Sequence, residues 1–198
     1  MPDVKHFDPD AVLDAVMRLF WRQGAATTGV QDVVGATGVN RSSLYATFGG
    51  KRDLYLAALR RYVDRRSGPV FQALADDVRG LDAVTDFFRR LIETRCSGEH
   101  ARWGCMVSNA HAADDDPEVR EVLHLHHDRL RAALRSALER ARAAGELRSG
   151  VVPESAAEVL ALLAYGVNLR SRAGADPDSL TATATAAIRS LARTQEDA

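Results

Sequence analysis

The chain is short of most features that mark the specialised classes of protein. Its two cysteines, Cys96 and Cys105, are too few to staple 198 residues together. Six prolines and fourteen glycines exclude a collagen-like repeat. No apolar run approaches the roughly 18 residues that a membrane helix needs. The start, Met1-Pro2-Asp3-Val4-Lys5-His6, has no apolar stretch after a basic one, so a cytoplasmic protein without membrane contact is expected. Enzyme signatures are missing too. Gly50-Lys51 lacks the earlier glycine of a phosphate-binding loop and is followed by Arg52, and Gly-x-Ser-x-Gly, His-Glu-x-x-His and Cys-x-x-Cys are absent. An enzyme is not expected, and neither a cofactor nor a metal is implied.

Net charge is also nearly absent, at −1, but it is unevenly spread. Residues 1–66 hold ten Lys and Arg against seven Asp, whereas 67–198 hold sixteen against twenty Asp and Glu. A basic first third on an acidic remainder fits a chain that meets a polyanion at one end.

What is abundant is apolar residues, 46% of the chain, recurring at steps of three and four. Asp8-Pro9 caps and opens a helix striped by Val12, Val16, Leu19 and Phe20 and ended by Gly24. Thr28-Gly29-Val30-Gln31 fits a capping box that opens a short helix, 28–36. Asn40 caps a second, 40–48, and Thr37-Gly38-Val39 joins the two. Lys51 opens a longer helix ending near Ser67-Gly68-Pro69. Further helices are predicted over 69–79, 81–97, 105–112, 117–144 (opened by Asp114-Asp115-Asp116-Pro117), 153–173 and 177–194. The expected fold is all-α, with about nine helices.

Two short helices joined by a glycine turn form a helix-turn-helix pattern. Val30, Val33, Val34, Val39 and Leu44 fill its small core. Asn40, Arg41, Ser42, Ser43, Tyr45 and Thr47 give the second helix a hydrogen-bonding face whose N-terminal end suits the edges of bases in a major groove. Lys51, at a helix start, suits a phosphate, and Thr28 has the matching place on the first helix. The bland alternative is that both helices are packing elements only.

The run from Thr28 through Gly38-Val39, Leu44-Tyr45, Phe48 and Lys51 resembles the N-terminal domain of the tetracycline-repressor (TetR) family of bacterial regulators, over about residues 9–62. The resemblance implies that Arg41, Ser42 and Ser43 face base edges or nearby phosphates, and that Tyr45, Lys51 and Thr28 grip the backbone. Gly50 departs from the Ser or Asn often found there. It further implies residues 1–50 as a DNA-binding domain, tied by a helix over 51–66 to an effector-binding and dimerisation domain over 51–198. The expected protein is a homodimeric repressor on a palindromic double-stranded operator, released by a small-molecule effector.

For the dimer, the small and apolar residues Ala157, Leu160, Ala161, Ala164, Ala184, Ala187, Ile188 and Leu191 are the candidates, with intrachain packing as the alternative. For the effector pocket they are Phe71, Phe88, Trp103, Cys105, Met106, Asn109, Tyr165 and Asn168, any of which can equally be core. Arg102-Trp103-Gly104-Cys105 resembles a stretch in a branch of the family near members that sense oxidants or electrophiles through cysteine. A thiol-sensing repressor using Cys105 is therefore the second reading, and an effector-free architectural factor the third. His124, His127 and Asp128 share a helix face, with His100 and His111 as conceivable additional ligands, but a solvated face explains them and no metal is assigned.

Overall fold

The computed structural model describes residues 7–110 and 116–194. Helices account for nearly all of it. In chain order they are α1 (Pro9–Gln23), α2 (Val30–Thr37), α3 (Arg41–Phe48), α4 (Lys51–Tyr62), α5 (Gly68–Asp76), α6 (Leu81–Cys96), α7 (Met106–Ala110), α8 (Pro117–Ala143), α9 (Pro153–Arg172) and α10 (Pro177–Arg189). A π turn, Val63–Ser67, runs without a break from α4 into α5, so the described residues form nine separate rods. None of these helices is long and apolar enough to cross a membrane. His111, Asp114 and Asp115 lie outside the described residues, as does the start at Met1–His6.

Local chemistry sets most boundaries. Asp8, Asn40, Asp116 and Asp176 each accept a backbone N–H at the start of a helix. Gly38 closes α2 in the left-handed conformation, φ +68°, that side chains avoid. The expected capping box at Thr28 is displaced by one residue. Gly29 is the N-cap, and the Asp32 carboxylate accepts its N–H at 2.6 Å. The Thr28 hydroxyl instead donates to the Gly24 carbonyl at 2.7 Å.

The expected break at Ser67-Gly68-Pro69 is likewise absent. Proline inside an α-helix removes one hydrogen bond and strikes the carbonyl four residues back. Here the turn before Pro69 widens, with the Gly68 N–H reaching the Val63 carbonyl five residues back. Gly68 suits this turn because a Cβ on it would stand 3.1 Å from that carbonyl. The rod from Lys51 to Asp76 thus continues where the sequence reads as a stop.

Two cores hold the chain together. One joins α1, α2, α3, α4, α7 and the start of α8, through Phe20, Trp21, Val33, Leu44, Leu59, Tyr62 and Met106 among others. The other joins α5, α6, α8, α9 and α10 around Phe88, Leu134, Leu138 and Leu160. The seam between the helix-turn-helix and the rest is chiefly aromatic. Trp21, 3% exposed, meets Tyr62 and Trp103 edge-on at 5.0 and 5.2 Å, and its indole N–H donates to the Gly104 carbonyl at 2.9 Å. Arg52 also bridges this seam, to Asp116 and Glu118. Such exposed pairs contribute about 0–1 kcal/mol, against about 1.5–3 kcal/mol for each large apolar side chain buried. The rings dominate.

The expected dimer residues belong to this interior. Ala157, Leu160, Ala161, Ala164, Ala184 and Ile188 are buried within one protomer, and Ala187 and Leu191 are half-buried. The small face of α9 shares this core with Ala133, Leu134, Ala137 and Leu138 of α8, against which α9 packs, so small residues bring helices close inside the chain. The exposed face of α9 carries Val159, Leu162 and Leu169, at 60, 58 and 49% exposure. Apolar surface of this kind is the part that a second surface can cover.

Candidate DNA interface and effector cavity

The helix-turn-helix is fixed from beneath. Val33, Val39 and Leu44 are buried, whereas Val30 and Val34 are half-buried. Asn40 accepts the Ser43 N–H at 2.9 Å and the Ser42 hydroxyl at 2.6 Å, which locks the first turn of α3. Arg41 and Ser42 are exposed, and Ser43, Tyr45 and Thr47 are half-buried. The Arg41 guanidinium stands 5.1 Å from the Tyr45 ring centroid, so the two side chains share one face of α3.

Lys51, half-buried, is the first residue of α4. Gly50 is indeed the N-cap there, and the Asp53 carboxylate accepts its N–H at 3.0 Å. Gly49 turns the chain into this cap at φ +83°, where a Cβ would strike Asp53 Oδ2 at 2.5 Å. Among the described residues neither Arg41 nor Lys51 is held in an ion pair, so both charges remain available. Thr28 is the exception among the expected contacts. It is wholly buried, with its hydroxyl committed to Gly24, and so braces the entry to α2.

Behind this head lies a cavity of about 680 Å³. Of the expected lining residues it brings together Phe71, Cys105, Tyr165 and Asn168. The other four face elsewhere. Phe88 and Met106 are core, Trp103 packs on Trp21 and His100, and the Asn109 amide donates to the Trp103 carbonyl at 2.9 Å. Sequence reasoning missed Trp21, Tyr62, Arg95 and His126, which also line it. His126 had a usable signal, since it falls in register with Val119, Val122, Leu123, Leu130 and Ala133 on the apolar stripe of α8. Its neighbours differ from each other. His124 is exposed, His127 meets Glu158 at 3.2 Å, and no group of three metal-ligating side chains occurs among the described residues.

His126, 3% exposed, is held at both ring nitrogens, by the Tyr165 hydroxyl at 3.3 Å and the Ser67 hydroxyl at 3.2 Å. It therefore touches the π turn directly. Beside it sits Cys105, 2% exposed. Burial pushes this thiol up, but the hydrogen bond and charge of His126, with the charge of Arg95 and the Ser108 N–H, outweigh burial and bring it down to about 6. Burial and the adjacent sulfur together hold the Tyr62 and Tyr165 hydroxyls well above the usual phenol range, so both stay protonated. Cys96, by contrast, is pushed up by burial.

An exposed polar helix face set on a glycine turn, with free cations at two helix starts, defines a helix-turn-helix DNA-binding protein. The pattern of the bacterial regulatory proteins of the tetR family matches residues 12–58, and that of the tetracyclin repressor-like C-terminal domain matches 78–187. The chain belongs to the tetR family of transcriptional regulators. Over 187 residues it is 29% identical to the HTH-type transcriptional repressor ComR of Escherichia coli K12, covering 93% of this chain and 89% of ComR. It is 30% identical over 145 residues to the HTH-type transcriptional regulator YezE of Bacillus subtilis 168, covering 72% and 74% of the two. Among solved structures it superimposes on the regulator CifR, a cysteine mutant complexed with 26bp double-strand operator DNA. That match has a TM-score of 0.81 and 25% identity, and covers 96% of this chain and 99% of CifR.

The sulfur gives this site a measurable signature. In Cys105 the folded state holds the thiol at about 6, below its ordinary 9.0, so ionisation stabilises the fold fully above the ordinary value and this contribution is lost as pH falls through about 6. The thiolate ultraviolet absorbance, taken as the difference from Cys105→Ser, should rise with a midpoint near pH 6. His126→Ala should move that midpoint upward, because burial then acts with less opposition. A midpoint unmoved by His126→Ala would show that the imidazole does not set it.

Proposed function

We propose that the chain is a homodimeric repressor that binds a palindromic operator and leaves it when a small molecule occupies the cavity. The observation that carries this reading is the α3 face, where Arg41 stands exposed without an ion pair and Ser42 stands exposed with its hydroxyl oxygen still able to accept, on the same head as the free charge of Lys51. CifR, which shares this fold over nearly its whole length, has been solved on operator DNA. Base edges fall to Arg41, Ser42 and Ser43, and phosphates to Tyr45, Thr47 and Lys51. Asn40 acts chiefly by capping α3, since its oxygen is occupied.

The second copy docks on the exposed face of α9, where Val159, Leu162 and Leu169 supply the apolar surface and Ala182 and Ala186 of α10 are exposed small residues. An isologous contact doubles such a patch and sets two α3 helices a fixed distance apart. Release follows from the rod. A ligand among Phe71, Tyr165 and Asn168 presses on α5 and, through His126, on Ser67 in the π turn; α4 and Lys51 lie on the same rod. To reverse occupancy from 99:1 to 1:99 the ligand must prefer the released conformer by about 5.5 kcal/mol.

A second input is favoured by the position of Cys105. A thiolate inside a cavity can add to an electrophile that enters it, and the adduct then occupies the ligand's place. Cys105→Ser separates the two inputs: loss of release by an electrophile supports the thiol route, and unchanged release removes it.

Gel shifts on a duplex selected from a random pool test the reading head. Lys51→Ala should weaken all sequences alike and lower the salt slope by about one, whereas Arg41→Ala should change base preference at one position, worth about 1–3 kcal/mol. Unaltered affinity in both variants would overturn the docking. Sedimentation tests the dimer. Leu162→Asp, at an exposed site, should leave the fold intact and yield monomers with weakened operator binding. A variant that stays dimeric places the interface elsewhere.

A further inference from the structure

Once its internal ion pairs are set aside, the cavity wall is positively charged. Arg79 is taken up by Asp77 and Asp86, at 2.6 and 2.9 Å. Arg66, Arg90 and Arg95 line the same space, and among the described residues none of them has a carboxylate partner. The remaining acid, Glu99, points largely to solvent, with 80% of its side chain exposed and His100 at 3.8 Å.

Arg95 is the one that is built in. It is half-buried, donates from Nε to Asn168 Oδ1 at 2.7 Å and from Nη2 to the Tyr62 hydroxyl at 3.2 Å, and lies 5.7 Å from the Trp21 ring centroid. These partners are neutral, and Nη1 is left without a protein acceptor among the described residues. The Cys105 sulfur acts on Arg95 through its charge, but every hydrogen bond of this half-buried guanidinium goes to a neutral group, and an anion on the open nitrogen offsets its partial desolvation. A second orphan lies nearby. Ser108 is 2% exposed and lines the cavity, yet its hydroxyl has no hydrogen-bond partner. Its own N–H and the charge of Arg95 both act on Cys105, which places the two residues around the same sulfur. The lining away from them is apolar, with Phe71, Leu74, Phe87, Leu91 and Leu130.

We propose that the cavity takes a small organic carboxylate, its charged end held by Arg95 and Ser108 and its apolar body by the rings of Phe71 and Phe87. The proposal rests on the cavity being the effector site and adds the chemical class of the effector. A carboxylate matches the fork of a single guanidinium, and the second oxygen can accept from a hydroxyl. Arg66 and Arg90 at the more exposed wall draw an anion toward the opening.

Trp21 lines the cavity and reports binding by its fluorescence. The full chain is titrated with a panel of aromatic carboxylates (benzoate, cinnamate, 1- and 2-naphthoate) and with the neutral amide of each. At least one carboxylate should bind about ten- to a hundredfold tighter than its amide, the range that a charge-assisted hydrogen bond supports. Arg95→Gln should remove that preference and Arg95→Lys retain part of it. Thermal unfolding of both variants reports whether they fold. If every amide binds as well as its acid, or no member of the panel binds, or the preference survives Arg95→Gln in a folded protein, the anion class is overturned. The same titrations on the operator complex separate this from the underlying reading. Amides that bind and release DNA sink the carboxylate and keep the effector cavity, and carboxylates that bind without releasing DNA do the reverse.

Discussion

Continuity of backbone hydrogen bonding through Ser67, Gly68 and Pro69 is the constraint on which the rest of the molecule depends. It makes one rod of the residues from Lys51 to Asp76, about 37 Å long at the usual rise per residue. Lys51 stands at one end and Phe71 near the other, so the proposed phosphate contact and a wall of the cavity are parts of a single element. Proline would divide this rod were it not for the wide turn before it. A π turn has poorer hydrogen-bond geometry than the α-helix on either side, and it is the natural place for the rod to change its pitch. His126 anchors that turn through Ser67, and Tyr165 anchors His126.

The head has too little core of its own to stand apart from this rod. Val33, Val39 and Leu44 are few, and two helices of eight residues bury little surface. Its rigidity is borrowed from α1 and α4. Phe20 meets Tyr55 edge-on at 5.2 Å, and Arg61 on α4 forks onto Asp14 of α1 at 2.6 and 2.7 Å, which holds the Asp14 carboxyl below its ordinary range. Asp14 is exposed enough for water to screen that pair. The aromatic contacts fix the spacing of α1 and α4, and the charges fix their register. Arg41 and Ser42 can then remain exposed without folding back, because the first turn of α3 is locked at Asn40.

Local signals were legible in the sequence, and long-range ones were not. Asp8, Asn40, Asp116 and Asp176 cap the helices that their chemistry announces, and Gly38 adopts the turn that its lack of a side chain permits. Thr28 misleads because a hydroxyl before a helix fits two roles, and the one chosen here depends on the Gly24 carbonyl behind it. In α9 the apolar residues surround the helix, so periodicity cannot say which face is inward. That is decided by α8, whose alanines admit the small face and leave Val159, Leu162 and Leu169 outside. The cavity is hardest to read because its polar contacts join distant residues. Arg95 to Asn168 spans 73 positions and His126 to Ser67 spans 59.

In the proposed mechanism the cavity's polar groups let two kinds of signal use one route. A ligand held noncovalently near Arg95 and an adduct formed on Cys105 would occupy the same space, bounded by Tyr62, His126 and Tyr165. Either must alter the hydrogen bonds that the imidazole makes, because His126 is committed at both nitrogens and has no exposed side on which to accommodate a change. On that reading the disturbance passes to Ser67, which is itself buried and part of the turn that joins α4 to α5. Packed interiors respond to such changes by shifting between arrangements rather than by deforming smoothly. In the proposed dimer a small rotation at the turn is multiplied along α4, and with two heads held at fixed spacing by α9 and its mate, both need not leave DNA for binding to fail. It is enough that they no longer fit two successive grooves at once.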